Sequence, residues 1–350
     1  MKRLFSYLLV FTLLMSTLIP VVNANEDVSK SQNKYIKQYF KEKETKKSEK
    51  KTDLVDPVVE EKIILETLTY YYKEDLKVAN ILSQFYNDMD LIDKVTSLIK
   101  EDKIDIMHKI IEIYPSIEFK NDKKIMYAYF LRYAKNTDDK TSIQFLDENN
   151  EQVEQNSFTI LASYYNGTAA GDWAYNNYNN YNKYSTNYPA FTGGWGSDCT
   201  NFVSQAMHVG GGKAMEGTWY IYKKNSTYLV PTSAAELDYS WTLADPSPWI
   251  SVDTFLSYWR PKSTVHSMSH DYYVANHKTV YTRSIYKGDV VIFSKGVANF
   301  ITVPTHAMII SAYDTVNSDF KLAGHSNERR DYPLLSAISD YSHIDIIEIP

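Results

Sequence analysis

The chain has 350 residues and a formal net charge of −6 at neutral pH. This acidic balance has the wrong sign for gripping phosphate backbones, so nucleic acid is not an expected partner. The chain contains a single cysteine, Cys199, which excludes an internal disulfide. Its length suits about two domains of ordinary size.

The N-terminus has the pattern of a secretory signal peptide. Lys2 and Arg3 precede an apolar run from Leu4 to Val22, and the small-residue sequence Val22-Asn23-Ala24 ends it. A retained membrane helix is the alternative, but the apolar run is short and polar residues follow it at once. The pattern predicts a signal peptide over residues 1–24 and a mature protein that is secreted or associated with the cell wall.

Two further zones precede the cysteine. Residues 25–55 are rich in Lys, Glu, Ser and Gln and poor in apolar residues, which predicts a solvated, charged linker. From Asp56-Pro57, a plausible helix cap, apolar residues recur at helical spacing and predict two or three helices. After Pro115, short apolar stretches between Asn/Asp-rich breaks predict a strand meander. Residues 56–155 are therefore predicted to form a small helical or α+β domain.

A row of aromatic residues opens the C-terminal half. Its members are Trp173, Tyr175, Tyr178, Tyr181, Tyr184 and Tyr188. Spacings close to three are typical of one stripe of a helix, which favours packing against the rest of the domain. Stacking of the tyrosines on the sugar rings of a glycan is the alternative.

The segment around Cys199 has the pattern of a nucleophile at the start of a helix. It reads Trp195-Gly196-Ser197-Asp198-Cys199-Thr200-Asn201-Phe202-Val203-Ser204-Gln205-Ala206-Met207-His208, and three glycines follow at 210, 211 and 212. The apolar residues of this run form a helical stripe, and Ser197 or Asp198 is a natural cap. Unpaired N–H groups and the helix dipole in the first turn favour the thiolate of Cys199 over the thiol. A buried structural cysteine is the alternative.

A thiolate nucleophile needs a base, and His306 is the best placed of the eight histidines. It opens the apolar run 306–313, which predicts a central strand. Residues 288–293 and 320–323 predict two further strands on either side of it in the sequence. A histidine at the mouth of a strand can point out of the sheet toward a cysteine on a packed helix.

Two other histidines, His266 and His270, stand four residues apart, as metal ligands on a helix do. Their Ser-rich and non-periodic surroundings predict instead a loop with ordinary surface histidines. No metal and no other cofactor is therefore expected.

The register of the predicted hairpin points to the residue that orients His306. If Tyr313 lies opposite Phe320, the same register places Asn327 opposite His306, and a slip of two residues places His325 there. Both positions share one face of the strand because side chains alternate. Asn327 and His325 therefore remain equal candidates for the hydrogen bond that fixes the imidazole tautomer.

These segments resemble the putative amidase domain family of Firmicutes, a branch of the papain-like cell-wall hydrolases related to CHAP-type amidases. The resemblance covers about residues 160–335. It rests on the tyrosine/asparagine-rich helix, Asp198 to Gln205 with the glycine cluster, Gly288-Asp289-Val290-Val291, His306-Ala307-Met308, and His325-Ser326-Asn327 followed by Arg329. It implies an α+β, papain-like domain over residues 160–345, in which a helix bearing the cysteine packs on an antiparallel sheet. It also implies that Cys199 is the nucleophile, that His306 is the base, and that a polar residue on the next strand orients it.

The function expected from the sequence is that of a secreted cysteine amidase or peptidase. Its partners are peptidoglycan or the peptide stems of peptidoglycan, with peripheral contact with the cell envelope and with Trp195 and Asp198 as candidate substrate-binding residues. One alternative is a wall-binding module that contacts glycan without turnover, and another is a papain-like enzyme that acts on protein amides. The presence of both Cys199 and His306 argues against the binding module. The sequence leaves open which amide bond is cut.

Overall fold

The computed structural model describes residues 33–45, 56–154, 164–179, 187–191 and 198–350. The predicted signal peptide, Trp195 and two tyrosines of the aromatic row, Tyr181 and Tyr184, lie outside these residues. From Lys34 onward the described residues belong to one unit. Within this part of the chain, no helix combines the length and the apolar character that a bilayer crossing requires.

The described N-terminal part is helical up to residue 154. Its helices are α1 (Lys34–Thr45), α2 (Pro57–Leu82), α3 (Leu91–Val95), α4 (Lys100–Ile113), α5 (Lys120–Thr137) and α6 (Lys140–Glu154), with a 3-10 turn at Tyr114–Ser116. α2 begins where the sequence predicted, because the Asp56 side chain accepts a hydrogen bond from the N–H of Val58 and Pro57 occupies the first turn. The predicted start of the helical region is therefore confirmed.

The predicted strand meander after Pro115 is wrong. Helices α5 and α6 occupy the segment instead. In α5 the buried residues Met126, Phe130 and Tyr133 recur at helical spacing. The stretch is rich in tyrosine and phenylalanine, which favour strands, and this composition hid the helical period.

The predicted charged linker is likewise structured over part of its length. α1 lies within it, and Tyr35 and Ile36 are buried in the core that the N-terminal helices share. Two apolar side chains in one turn are enough to attach the helix, while its lysines and glutamates stay at the surface. The expectation of a solvated segment is therefore wrong for residues 34–45.

The C-terminal part is α+β, and this class was predicted. Its helices are α7 (Gly167–Asn177), α8 (Cys199–Gln205, followed by a π-helical turn at Ala206–Gly210), α9 (Ala234–Ser240), α10 (Val252–Trp259), α11 (His270–Tyr281) and α12 (Leu334–Ala337). Its strands are β1 (Ile221–Lys223), β2 (Trp241–Leu243), β3 (Thr264–Ser269), β4 (Val290–Val297), β5 (Ile301–Asp314), β6 (Asp319–Gly324), β7 (Arg329–Pro333) and β8 (His343–Glu348). The three strands predicted from the sequence correspond to β4, β5 and β6, although β5 begins at Ile301 rather than at His306.

Strands β3 to β8 form an antiparallel sheet in the order β3-β8-β4-β5-β6-β7, and β1 pairs with β2 in a separate ribbon. Side chains of β4 and β5 alternate between the two faces of the sheet, as strand geometry requires. The face under α7, α8 and α10 carries Val290, Ile292, Ala307 and Ile309. The face under α11 and α12 carries Val291, Phe293, Met308 and Ile310. Cys199 belongs to the cluster on the first face.

The sheet and the N-terminal helices share a core. The end of β4, the connecting loop and the start of β5 contribute four buried side chains to the cluster formed by those helices. They are Val297, Phe300, Ile301 and Val303. The two predicted domains are thus joined through packed apolar surface, and α2 has a fixed position relative to the sheet.

A buried ionic cluster attaches α2 to other N-terminal helices, and α1 to α6 together form the helical layer of the protein. Asp75 accepts hydrogen bonds from Lys103 (2.9 Å), Arg132 (2.7 Å), Tyr133 (2.7 Å) and Tyr35. Burial alone raises the pKa of the Asp75 carboxyl, but the charges of Lys103 and Arg132 outweigh it and hold this pKa below its ordinary value. Asp75 is therefore charged in the folded protein, and its removal leaves two buried cations without their common anion.

We expect Asp75→Asn to lower the free energy of unfolding by about 3–5 kcal/mol, because breaking a buried ion pair leaves uncompensated charge. Urea denaturation followed by circular dichroism measures the change. Since the folded-state pKa of Asp75 is lowered, its stabilising contribution is present above about pH 4 and is lost as the pH falls further. Asp93→Asn, which alters an exposed pair with Lys34, is the control and should change stability little. A similar small effect from both variants would contradict the cluster's role.

Candidate active site

Cys199 is the first residue of α8, as the sequence predicted, and its surface is 0 % exposed. It packs in the cluster that contains Phe202 of the same helix and Ala307 of β5. Asp198 occupies the cap position, but its side chain makes no cap hydrogen bond to the helix. The carboxylate of Asp198 is therefore available for other partners.

Asp198 is bonded to three protein groups. Its Oδ2 lies 2.8 Å from Nδ1 of His325, and its Oδ1 accepts hydrogen bonds from the N–H of Phe191 (3.1 Å) and from Nδ2 of Asn201 (2.9 Å). A carboxylate accepts, so the bond to His325 places the proton on Nδ1 of the imidazole. Burial raises the pKa of the Asp198 carboxyl, although the bonds from His325 and Asn201 oppose this shift.

His325 is also held against the cysteine helix through its ring. The imidazole stacks on Phe202 with ring centroids 4.2 Å apart and planes 12° from parallel. Phe202 lies three residues after Cys199, so both lie on the same side of α8. The structure thus brings Cys199, Asp198 and His325 together at the start of one helix.

The register that would place Asn327 opposite His306 does not form, and neither candidate for orienting His306, Asn327 or His325, lies on β6. Tyr313 does lie opposite Phe320, but the register of β5 and β6 shifts by one residue at the bulge Ile310–Ala312. β6 then ends at Gly324, and Asn327 lies in the turn that follows. Counting residues along the hairpin could not anticipate this bulge. β5 is apolar on both faces, so its sequence has no alternation of polar and apolar residues that a bulge would interrupt.

His306 lies in β5 opposite Phe293, beside a second bulge in the pairing with β4. It is 1 % exposed, and its Nδ1 has no hydrogen-bond partner among the described residues. Burial lowers the pKa of His306 to about 3, so the imidazole is uncharged at neutral pH. Its ring centroid lies 6.0 Å from that of Phe293, and among the described residues no hydrogen bond joins it to Cys199.

Tyr341 links the surroundings of His306 and Cys199. Its ring lies 5.0 Å from that of Phe293, the strand neighbour of His306. Burial raises the pKa of Tyr341 strongly, and the charges of Glu60 and of a Cys199 thiolate raise it further. Glu60 stands in the first turn of α2 and also accepts a hydrogen bond from the Thr305 hydroxyl at 3.3 Å. The first turn of α2 is therefore part of the shell around the site.

A cleft of about 440 Å³ contains Cys199 in its lining. The lining residues come from α2, from residues 246–257 and from the neighbourhood of the cysteine. They are Val59, Lys62, Ile63, Glu66, Thr67 and Tyr70; Pro246, Ile250, Ser251, Val252, Asp253, Thr254 and Ser257; and Phe191, Cys199 and Thr200. A cleft of this size that reaches a thiol can hold a short peptide-sized segment of substrate.

Sequence reasoning missed two features of this site. Asp198 was predicted as a cap or a substrate-binding residue, yet it is 4 % exposed and its oxygens are bonded to protein groups, so the geometry does not offer it to substrate. α2 was predicted to belong to a separate domain, and none of its residues was among the candidates for the site. In the sequence, the bonded role of Asp198 was indicated only by its position next to Cys199. No sequence pattern indicated that α2 borders the site.

The histidines considered as metal ligands are placed differently from the prediction. His266 lies in β3 rather than in a loop, and its Nε2 is 2.5 Å from Oε1 of Glu348. His270 begins α11. Among the described residues, no group of three His, Cys, Asp or Glu side chains has the arrangement of a metal site.

The fold and the site define an α+β protein with a cysteine at the start of a helix, packed on an antiparallel sheet beside a carboxylate-bound imidazole. Such groups can support acyl transfer through a thiol. The family model of the putative amidase domain matches residues 164–347, more than half of the chain, and the protein belongs to this family. Membership indicates a hydrolase that acts on amide bonds. No curated protein and no solved structure shows significant similarity to the chain.

We expect Asp198→Asn to lower kcat on an amide substrate by about ten- to a hundredfold, with KM nearly unchanged, because an amide cannot hold the His325 tautomer as a carboxylate does. Steady-state kinetics over a range of pH measures the loss, and a shifted pH profile separates this role from simple packing. Asp172→Asn, at an exposed ion pair with Lys287, is the control. Unchanged kcat and pH profile for Asp198→Asn would show that the pair with His325 has no part in the reaction.

Proposed function

We propose that this protein is a secreted cysteine hydrolase that cleaves amide bonds of peptidoglycan, with Cys199 as the nucleophile. The observation that carries the proposal is the position of Cys199: at the start of a helix, in the lining of a cleft and next to the Asp198–His325 pair. A cysteine that served packing alone would require neither the cleft nor the imidazole. The family to which the chain belongs supports the amide bond as the target.

The reaction we propose follows thiol chemistry. An imidazole accepts the proton of Cys199, and the sulfur attacks the amide carbonyl carbon to give a tetrahedral oxyanion near the backbone N–H of Cys199. The imidazolium then protonates the leaving nitrogen, the C–N bond breaks, and a thioester remains. Water, deprotonated by the same imidazole, hydrolyses the thioester and restores the thiol.

We assign the base to His306 and the orienting role to His325. His306 is an uncharged imidazole on β5 opposite Phe293. The ring of Phe293 contacts Tyr341, and the charge of a Cys199 thiolate acts on Tyr341. Nδ1 of His306 has no hydrogen-bond partner among the described residues. Burial disfavours the protonated imidazole, and a thiolate beside it would offset that penalty. His325 has its Nδ1 bonded to Asp198, which fixes its ring and favours a supporting role. The same bond makes His325 the rival for the base, since an acid-held imidazole is a common proton acceptor.

The substrate assignment rests on the predicted export signal and on the family. A protein exported across the membrane with an amidase domain meets the peptides of the cell wall first. Protein amides are the second candidate, since thioester chemistry does not depend on the source of the amide. A glycan-binding module is disfavoured, because a cleft lined by a thiol gives such a module no advantage.

Purified peptidoglycan is the test substrate. We expect the protein to release soluble fragments whose masses identify the bond cut, and we expect Cys199→Ala to release none. Loss of one thiol should leave the thermal unfolding midpoint nearly unchanged, because the sulfur is replaced by a smaller apolar group at the end of a helix. Digestion by Cys199→Ala at near the original rate would exclude the thiol mechanism.

Alanine variants of the polar candidates test the assignment of the base. We expect His306→Ala to reduce turnover as completely as Cys199→Ala, His325→Ala to reduce it by about ten- to a thousandfold, and Asn327→Ala to have a mild effect. Rates on one amide substrate measure the order. The reverse order for the two histidines would transfer the base to His325, and near-normal rates for both would mean that neither takes part.

A further inference from the structure

Helix α2 forms part of the cleft although it precedes the amidase domain, which the family model begins at residue 164. Its residues Val59, Ile63, Thr67 and Tyr70 line the cleft together with Lys62 and Glu66. They stand three or four residues apart in the chain, as the members of one helix face do. One face of α2 therefore borders the space that contains Cys199.

Helix α2 thus forms one wall of the cleft, and side-chain bonds attach this wall to the C-terminal part of the protein at two places. In its first turn, Glu60 accepts a hydrogen bond from Thr305 and pairs with Lys295 at 3.4 Å. About three turns further along the helix, the Tyr71 hydroxyl donates to Oδ1 of Asp253 at 2.6 Å. Asp253 belongs to α10, on the other side of the cleft. A helix bonded at both ends of the cleft is a permanent wall, so a substrate must fit against it.

Among the described lining residues, the exposed charges belong to Lys62 and Glu66 on this wall. Nζ of Lys62 and Oε1 of Glu66 are 4.0 Å apart, and their side chains are 41 % and 68 % exposed. An exposed pair at this separation contributes little to stability, and both side chains border the cleft. The lining residues of the facing segment 246–257 are apolar or carry hydroxyls, apart from Asp253, which is partly buried and bonded to Tyr71.

We propose that α2 selects the substrate of the amidase domain, with Lys62 binding a carboxylate of a peptide that lies in the cleft. The proposal rests on the proposed function of Cys199 and adds to it a substrate class, peptides with a free carboxylate close to the scissile amide. Glu66, one turn further along, then faces an amine of the same peptide. A stem peptide of the cell wall carries both groups.

The test compares two stem peptides that differ in one charge. The first is alanyl-γ-D-glutamyl-lysyl-alanine, and the second is the same peptide with the free α-carboxylate of the glutamyl residue converted to an amide. We expect Lys62→Glu to raise KM for the first peptide by about tenfold and to leave kcat and the second peptide nearly unaffected.

Lys73→Glu is the matched control. It makes the same change on the same helix, about three turns further on and on the same side, but Lys73 is not in the cleft lining. We expect its kinetics to equal those of the wild type. An equal ratio of KM values for the two peptides in the wild type and in Lys62→Glu would overturn the proposal.

Binding to the Cys199→Ala protein separates this proposal from the proposed function. Calorimetry with the two peptides, with and without Lys62→Glu, reports selection by α2 even if no peptide is cleaved. Weaker binding of the first peptide alone in Lys62→Glu supports the proposal whatever the chemistry of Cys199. Absence of binding by both peptides, or equal binding in both proteins, contradicts it. Absence of cleavage with intact selective binding contradicts the hydrolase instead.

Discussion

The buried carboxylate of Asp198 is the interaction on which the candidate site depends. It bonds three groups from separate parts of the chain: His325 in the turn after β6, the N–H of Phe191, and Asn201 in α8. Asn201 continues the network, since its Oδ1 accepts from the indole of Trp249 at 3.0 Å. Each of these segments borders Cys199 or its cleft. A carboxylate in so buried a place is costly unless all of its bonds are made, so the geometry of the site and the folding of this region are coupled.

The sequence predicts those parts of the fold in which the apolar residues of a local pattern are also the residues that become buried, or in which the deciding bond is local. The alternation and apolar runs of β4, β5 and β6 identify a sheet because both faces of it are covered, and the cap at Asp56 identifies the start of α2 because the cap bond is local. α5 was read as strands because its tyrosines and phenylalanine favour strands by composition, and only the burial of Met126, Phe130 and Tyr133 along one side reveals the helix. The shared core at Phe300 depends on contacts between distant segments, which no local pattern records.

For the site, the position of Cys199 could be predicted, while its partners could only be narrowed down. Local rules of helix capping and dipole fix where the cysteine lies. The pairing of His306 depends on bulges in β5, and a bulge of one residue changes which side chain of the next strand is opposite. Asp198 looked like a cap, yet a longer-range bond to His325 outweighs the local one. Hydrogen bonds between buried groups of distant segments are stronger than exposed cap bonds. A carboxylate that can reach both kinds of partner is therefore expected to bond the buried one.

The position of α2 extends the candidate site beyond the residues that the family model matches. The residues proposed to act on the amide lie in α8, β5 and the turn after β6, all within residues 164–347. The space in front of the cysteine is bounded by a helix outside that range, which the Asp75 cluster fixes within the helical layer and which Glu60 and Tyr71 fix against the sheet and α10. Because the cleft and the nucleophile come from different parts of the chain, changes in α2 can alter which peptide fits without touching the groups that act on its amide. The helical layer is in this sense part of the active site, and removal of α2 would expose both the cleft and the apolar surface at the end of β4.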